Sequence, residues 1–160
     1  MNKLIDTIRQ VRLSILESID GLSLAQLNEV PEGFNNNIIW NFAHIIATQQ
    51  KICYVRGGQE LQVEQSLFDN YEGGTKPLGP VSAGEVENFK SLFLSTIDQF
   101  KTDFNAGRFS TYQSWTNRYG CEMDHINIAT QFLFFHDGIH YGYIMALKRV
   151  VIKNNLQPVQ

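Results

Sequence analysis

The chain has 160 residues, a formal charge of −3, 43% hydrophobic residues and 18% charged ones. That length suits one domain over 1–160 with a core that needs no metal or disulfide staple, and the composition is globular rather than disordered. With no Lys/Arg cluster, nucleic acid is a poor main partner. No run approaches the ~20 apolar residues that cross a bilayer.

Four helical segments are expected. The first runs from Asn2 to Ile19, with Leu4, Ile8, Val11, Ile15 and Ile19 recurring at three- and four-residue steps and Arg9, Arg12 and Glu17 left for solvent. Gly21 ends it, and the connector "LSLAQLNEVPEGFNN" carries Pro31 and Gly33 as breakers. The second segment, "NIIWNFAHIIATQQKICYVRGG", has an Asn to cap its start and Gly57–Gly58 to stop it. Ile38 to Ala47 is apolar on nearly every side except Asn41 and His44, so this half reads as buried all round. Its second half turns polar and is expected to approach the surface.

Residues 57–81 form a long connector containing "YEGGTKPLGP", and connectors of this length are uncommon without a job. It has two candidate jobs. It can carry the chain back along a helix ~28 Å long, so that the third helix runs parallel to the second, or it can cover a site. Ser82-Ala-Gly-Glu85 is a capping box opening the third segment, whose inward stripe is Phe89, Leu92, Phe93, Thr96, Ile97 and Phe100. After the loop "NAGRFSTYQSWTNRYG", the fourth segment is expected from about Glu122 to Ile152. Nothing alternates with period two for long enough to require a sheet, so the fold class is an all-α four-helix bundle. Cys53 and Cys121 form no CxxC. They read as buried small hydrophobes in a reducing, cytoplasmic setting, with a single disulfide left open, and the amino terminus lacks the apolar core of a signal peptide.

Only four histidines occur: His44, His125, His136 and His140. On the last helix an inward seam can be traced through His125, Ala129, Phe132, His136, Ile139 or His140, Tyr143, Leu147 and Val150. His136 and His140, four apart, project side by side, the spacing by which a helix supplies two metal ligands. His44 is the candidate third ligand. His125, about 16 Å along the axis from His136, is assigned a capping or surface role. The competing reading, satisfied core histidines, is the commoner one on spacing alone. Two features favour a metal. Gly138 and Gly142 flank His140 at about 1 kcal/mol each relative to Ala, as if close approach or room were needed there. Asp137 is expected to point about 100° away from His136, so buried imidazoles with no facing acid have nitrogen lone pairs left over.

"NNIIWNFAH", with Trp40 four residues before His44, and "HDGIHYG" together resemble the two signatures of the DinB superfamily, N-x-x-W-x-x-x-H and H-x-x-x-H-x-G. The resemblance covers most of the chain. It implies a four-helix bundle with a long crossover connection, arranged up-down-down-up, and a divalent metal held by His44, His136 and His140. Zinc or nickel is the expected ion, with iron, manganese or cobalt also compatible with three imidazoles. Members often form homodimers, which makes a homodimer the expected assembly. The family often has Gln after the Gly that follows the second histidine of the pair, whereas here Gly142 is followed by Tyr143. That tyrosine is expected on the pocket side, either as a pocket phenol or as aromatic core.

Three protein ligands leave a position open, the catalytic rather than the structural pattern. Such a centre activates water or a thiol. By resemblance the function is that of a metal-dependent hydrolase or a thiol S-transferase, acting on a small-molecule substrate and using a low-molecular-weight thiol in the second case. A thiol-dependent isomerase is also among the characterised relatives. The alternative is a non-catalytic, metal-stabilised bundle that binds a small molecule or a partner chain. No Asp or Glu marks itself as a general base. Trp40 is expected to line the pocket or pack in the core, Asn41 to orient a ligand, and Glu17 on the first helix is a candidate to reach inward.

Overall fold

A computed structural model of the chain describes residues 1–156. Three of its helices begin where a side chain satisfies the free amides of the first turn. Ser23 and Gln26 form a capping box at the short helix α2 (Leu24–Asn28), and Ser82 and Glu85 form another at α5 (Ala83–Asn105). Asn37 accepts from the Trp40 amide at 2.8 Å to open α3 (Ile38–Gln49). The other long helices are α1 (Asn2–Ile19) and α6 (Ile126–Leu156).

The pairings between helices give their directions. Arg9 meets Asp98 and Asp6 meets Lys101, so α1 and α5 are antiparallel. Arg12 meets Asp137 and Ser18 meets Lys148, so α1 and α6 are parallel. Phe42 stacks on Phe93 and Gln49 bonds Thr96, so α3 and α5 run the same way. Asn41 and His140 meet where His44 and His136 do, so α3 opposes α6. The result is an all-α bundle arranged up-down-down-up. The 57–81 connector makes the crossover, and it also covers the histidines through α4 (Gln65–Tyr71) and the turn after it. The expected long connectors thus hold two short helices, α2 and α4, too brief to show a periodic pattern.

Two features depart from regular helix. Gln50–Val55 continues α3 as a π-helix, a rare form that often marks functional sites. It ends at Val55, and just beyond it a Cβ at Gly57 would run into the Cys53 carbonyl and the Phe109 ring. The loop after α5 holds a two-residue hairpin, β1 (Trp115–Thr116) and β2 (Glu122–Met123), with Trp115 opposite Met123. Glu122 therefore belongs to a strand, and the last helix starts at Ile126 rather than 122. Two-residue strands lie below what alternation can reveal.

The core lies in two apolar clusters. One joins Ile15 and Ile19 to α3, the early part of α5 and the late part of α6, including Phe93 and Leu147. The other joins Ile5 and Ile8 to the π-helix, Phe100 and Leu133. Between them on every long helix lies a polar residue that is fully or nearly fully buried: Arg12, Gln49, Thr96 and Asp137. The Arg12 guanidinium donates to Asp137 Oδ2 at 3.0 Å, Gln49 Oε1 at 2.7 Å and the Phe93 carbonyl at 3.1 Å, and lies over the Phe93 ring.

This layer corrects several expectations. Arg12 is the centre of the α1 stripe, displacing Val11, because a partner 125 residues away neutralises it. Gln49 and Gln50 are fully buried, so the polar half of the second segment reaches the surface only at Lys51, Val55 and beyond. Asp137, expected only to point away from His136, is buried against Arg12. Glu17 is exposed and does not reach inward. Gly138 and Gly142 lie exposed, and a Cβ at either would meet nothing within 4 Å. No close approach accounts for them. Both cysteines are free, and Cys53 is buried as expected whereas Cys121 is exposed. Among the described residues no helix is long and apolar enough to cross a membrane.

Removing one member of a buried ion pair strands the other, at about 3–5 kcal/mol. Arg12→Leu should therefore lower the free energy of urea unfolding by that order, and Arg12→Lys, which cannot reproduce the three-way fork, should restore little of it. A loss below 1 kcal/mol for Arg12→Leu would show that the layer does not hold the bundle.

Candidate metal centre

His44 on α3 and His136 and His140 on α6 meet where those antiparallel helices cross. Their ring centroids are 5.1, 4.7 and 4.4 Å apart, taking the pairs His44–His136, His44–His140 and His136–His140. One ring nitrogen from each lies within 4.8 Å of the others. His125 stands apart at the surface, where its Nδ1 accepts from the Asn127 amide at 3.1 Å and its carbonyl accepts from the first turn of α6.

Hydrogen bonds behind the rings decide which nitrogens are free. His44 Nδ1 is 2.6 Å from the Tyr71 carbonyl. A carbonyl only accepts, so Nδ1 carries the proton and Nε2 keeps the lone pair. His140 Nδ1 is 2.8 Å from Asn41 Oδ1, and the Asn41 amide nitrogen donates to the Asn37 carbonyl at 2.8 Å, which fixes the orientation of the amide. Here too the Nδ1 proton points away from the other rings. His136 Nδ1 is buried with no hydrogen-bond partner and faces Asp137 Oδ1, likewise unsatisfied, at 3.9 Å. An acid therefore does stand behind one imidazole, contrary to the helical-wheel expectation.

Burial lowers the pKa of His44 to about 4, against the Tyr71 hydrogen bond, which raises it, with a smaller repulsion from His136. Burial, followed by repulsion from His136 and His44, lowers that of His140 to about 2. Arg118 adds a smaller push in the same direction to both. Both imidazoles are thus neutral at pH 7, the form that ligates metal. Neutral donors with their protons tied outward, a third ring with an orphaned buried nitrogen, and nitrogens already clustered fit a divalent ion. The Thr48 hydroxyl, which donates to His44 Nε2 at 3.2 Å, would have to yield that lone pair to an ion held by the three rings.

The rings open on a cavity of about 190 Å³. Its other walls are Thr48, Lys51, Ile52 and Arg56 from the end of the second long helix, Trp115, Asn117, Arg118 and Tyr119 from the hairpin, Phe132 and Ile139 from α6, and Gly73 from the connector. Trp40 does not line it. It stacks on His44 at 4.7 Å and 10°, and its indole donates to Thr75 Oγ1 at 3.2 Å, tying the connector down. Tyr143 does not line it either: it packs edge-on against Phe34 at 5.6 Å in the apolar core. Three residues from His140 is about 300° around a helix, enough to turn Tyr143 toward the first connector. The Tyr71 carbonyl and the hairpin wall went unforeseen, because a backbone oxygen and a short hairpin leave no residue-type signal.

Ligand roles for the histidines would show in titration of metal-free, untagged protein. His136→Ala and His140→Ala should each abolish the single equivalent of Zn²⁺ bound by the parent, whereas His125→Ala should keep it. Protonation provides a separate check. The folded pKa values of His44 and His140 lie below the ordinary 6.5, so the unfolded chain takes up protons first as pH falls. Metal-free protein should lose stability between pH 6.5 and 4 and be steadier above it. Urea unfolding midpoints unchanged from pH 7 to 5 would contradict the burial of neutral rings.

No curated protein matches the chain. The model of the DinB superfamily matches residues 7–144, a span that includes all three clustered histidines, the whole of α3 and α5 and the greater part of α1 and α6. The chain belongs to the DinB superfamily.

Proposed function

We propose that this protein is a metal-dependent enzyme of the hydrolase or thiol S-transferase type, with His44, His136 and His140 holding one divalent ion, zinc or nickel. The observation that carries the reading is the convergence of three imidazoles on a cavity. His44 and His140 keep their Nδ1 protons turned outward, and the rings face space for a small molecule. A structural zinc site is closed by four protein ligands, and no fourth His, Cys, Asp or Glu stands with these three among the described residues.

When bound, the ion supplies Lewis acidity: it lowers the pKa of a water or thiol and polarises a carbonyl. The protein's share is positioning. The Tyr71 carbonyl and Asn41 fix two of the rings. Asp137, held by Arg12, stands behind the third. The Thr48 hydroxyl sits beside His44 Nε2, and Trp115, Phe132 and Ile139 limit water at the open side. The two free thiols fit a cytoplasmic setting.

Conjugation of a fluorogenic electrophile with a panel of low-molecular-weight thiols, run beside hydrolysis of activated esters and amides, tests the reading. Turnover should require the metal, return on reconstitution with Zn²⁺ or Ni²⁺, and fall at least 100-fold in His136→Ala. Turnover that survives metal removal would overturn it.

A further inference from the structure

We infer that the cavity beside the histidines takes a small organic anion with a flat apolar body, and that Arg118 recognises its charge. The inference rests on the reading of this cavity as the substrate site and adds the chemical class of the substrate.

The chain carries a net −3, yet this cavity has the opposite sign. Lys51, Arg56 and Arg118 line it, with no Asp or Glu among its lining residues. Two of the three cations are already engaged. Lys51 pairs with Glu72 at 2.8 Å, and Arg56 lies over the Trp115 ring at 5.7 Å and reaches Gln113 Oε1 at 3.4 Å. Among the described residues Arg118 has no ion-pair or hydrogen-bond partner for its guanidinium, whose fork of N–H donors matches a carboxylate in two parallel bonds. A focused positive field inside a low-dielectric cleft attracts anions and repels cations.

The arm that presents Arg118 is held in place. Asn117, itself buried, accepts from the Tyr119 amide at 2.9 Å and the Cys121 amide at 3.0 Å, while its own amide donates to the Cys121 carbonyl at 3.0 Å. Gly120 closes the turn at φ 77°, a left-handed conformation suited to glycine. The strand behind is anchored by Trp115, whose indole donates to the Tyr112 hydroxyl at 3.0 Å and whose ring meets Phe132 edge-on at 6.0 Å. Exposed Tyr119 and Ile139 continue this apolar wall at the mouth. Apolar walls with a few well-placed polar groups are the ordinary make-up of a small-molecule site. The volume suits a ligand of small-molecule size rather than a polymer.

Binding of 3-phenylpropionate and of its neutral isostere 3-phenylpropionamide to metal-free full-length protein, measured by calorimetry at low salt, tests the assignment. The acid should bind at least tenfold more tightly than the amide. Arg118→Gln should remove that preference and leave amide binding unchanged, and Arg118→Lys should keep part of it. Equal affinities in the parent, a preference that persists in Arg118→Gln, or no binding of either compound overturns the inference. Parallel Zn²⁺ titrations keep the two readings apart. Arg118→Gln should bind zinc like the parent, and a parent that prefers the acid yet takes up no zinc would overturn the metal centre alone.

Discussion

A single buried guanidinium sets the geometry on which the rest of this molecule depends. Arg12 has no exposed surface, and it joins α1 to Asp137 on α6, Gln49 on α3 and the Phe93 carbonyl on α5. Burying a charge costs several kcal/mol unless it is paired and hydrogen-bonded; here Nε and Nη1 are engaged and Nη2 is left without a hydrogen-bond partner. A slide of any one helix by a turn would strand Arg12, Asp137 or both. The apolar clusters above and below this layer supply non-directional attraction that several registers could satisfy. The ion pair and its hydrogen bonds admit one.

The same layer reaches the metal centre. Asp137 is adjacent to His136 in sequence, and one carboxylate oxygen accepts a hydrogen bond from Arg12 while the other faces the His136 ring. Gln49 lies five residues beyond His44 on α3, and its side chain is fixed by Arg12 and by Thr96. The histidines therefore sit on helices whose relative rotation is pinned close by. The remaining supports come from α3 itself, where Asn41 holds His140, and from the crossover, whose Tyr71 carbonyl holds His44 and which Trp40 ties to the ring it stacks on.

The open side is made of different material. The π-helix at the end of α3 changes which residues face inward, so that Gln50 is buried while Lys51 and Arg56 line the cavity. Opposite them the hairpin adds aromatic surface and a positive charge. A rigid, neutral, desolvated donor set on one side and a cationic, aromatic rim on the other divide the work between holding a metal and choosing what approaches it.

Much of this was legible in one dimension. Helical periodicity placed α1, the start of α3 and α5 because burial of one face is a local demand that repeats along the chain. Ser82 with Glu85 and Asn37 before Trp40 marked helix starts because caps are built from neighbours. The spacing of His136 and His140 put two imidazoles together by helix geometry alone, and the motif around Trp40 and His44 supplied the third. What only the tertiary structure decided is whatever depends on a partner distant in sequence. Arg12 and Gln49 read as surface residues until Asp137, Thr96 and each other accounted for their polarity. Tyr143 reads as pocket phenol or aromatic core until Phe34 decides for the core. The Tyr71 carbonyl and the Arg118 hairpin carry no sequence pattern at all, because a backbone oxygen is common to every residue and a two-residue strand is too short to alternate. The sequence by itself determined the four long helices, to within a few residues, and the three imidazoles. The long-range pairing of buried polar groups decided how those imidazoles are oriented and what surrounds them.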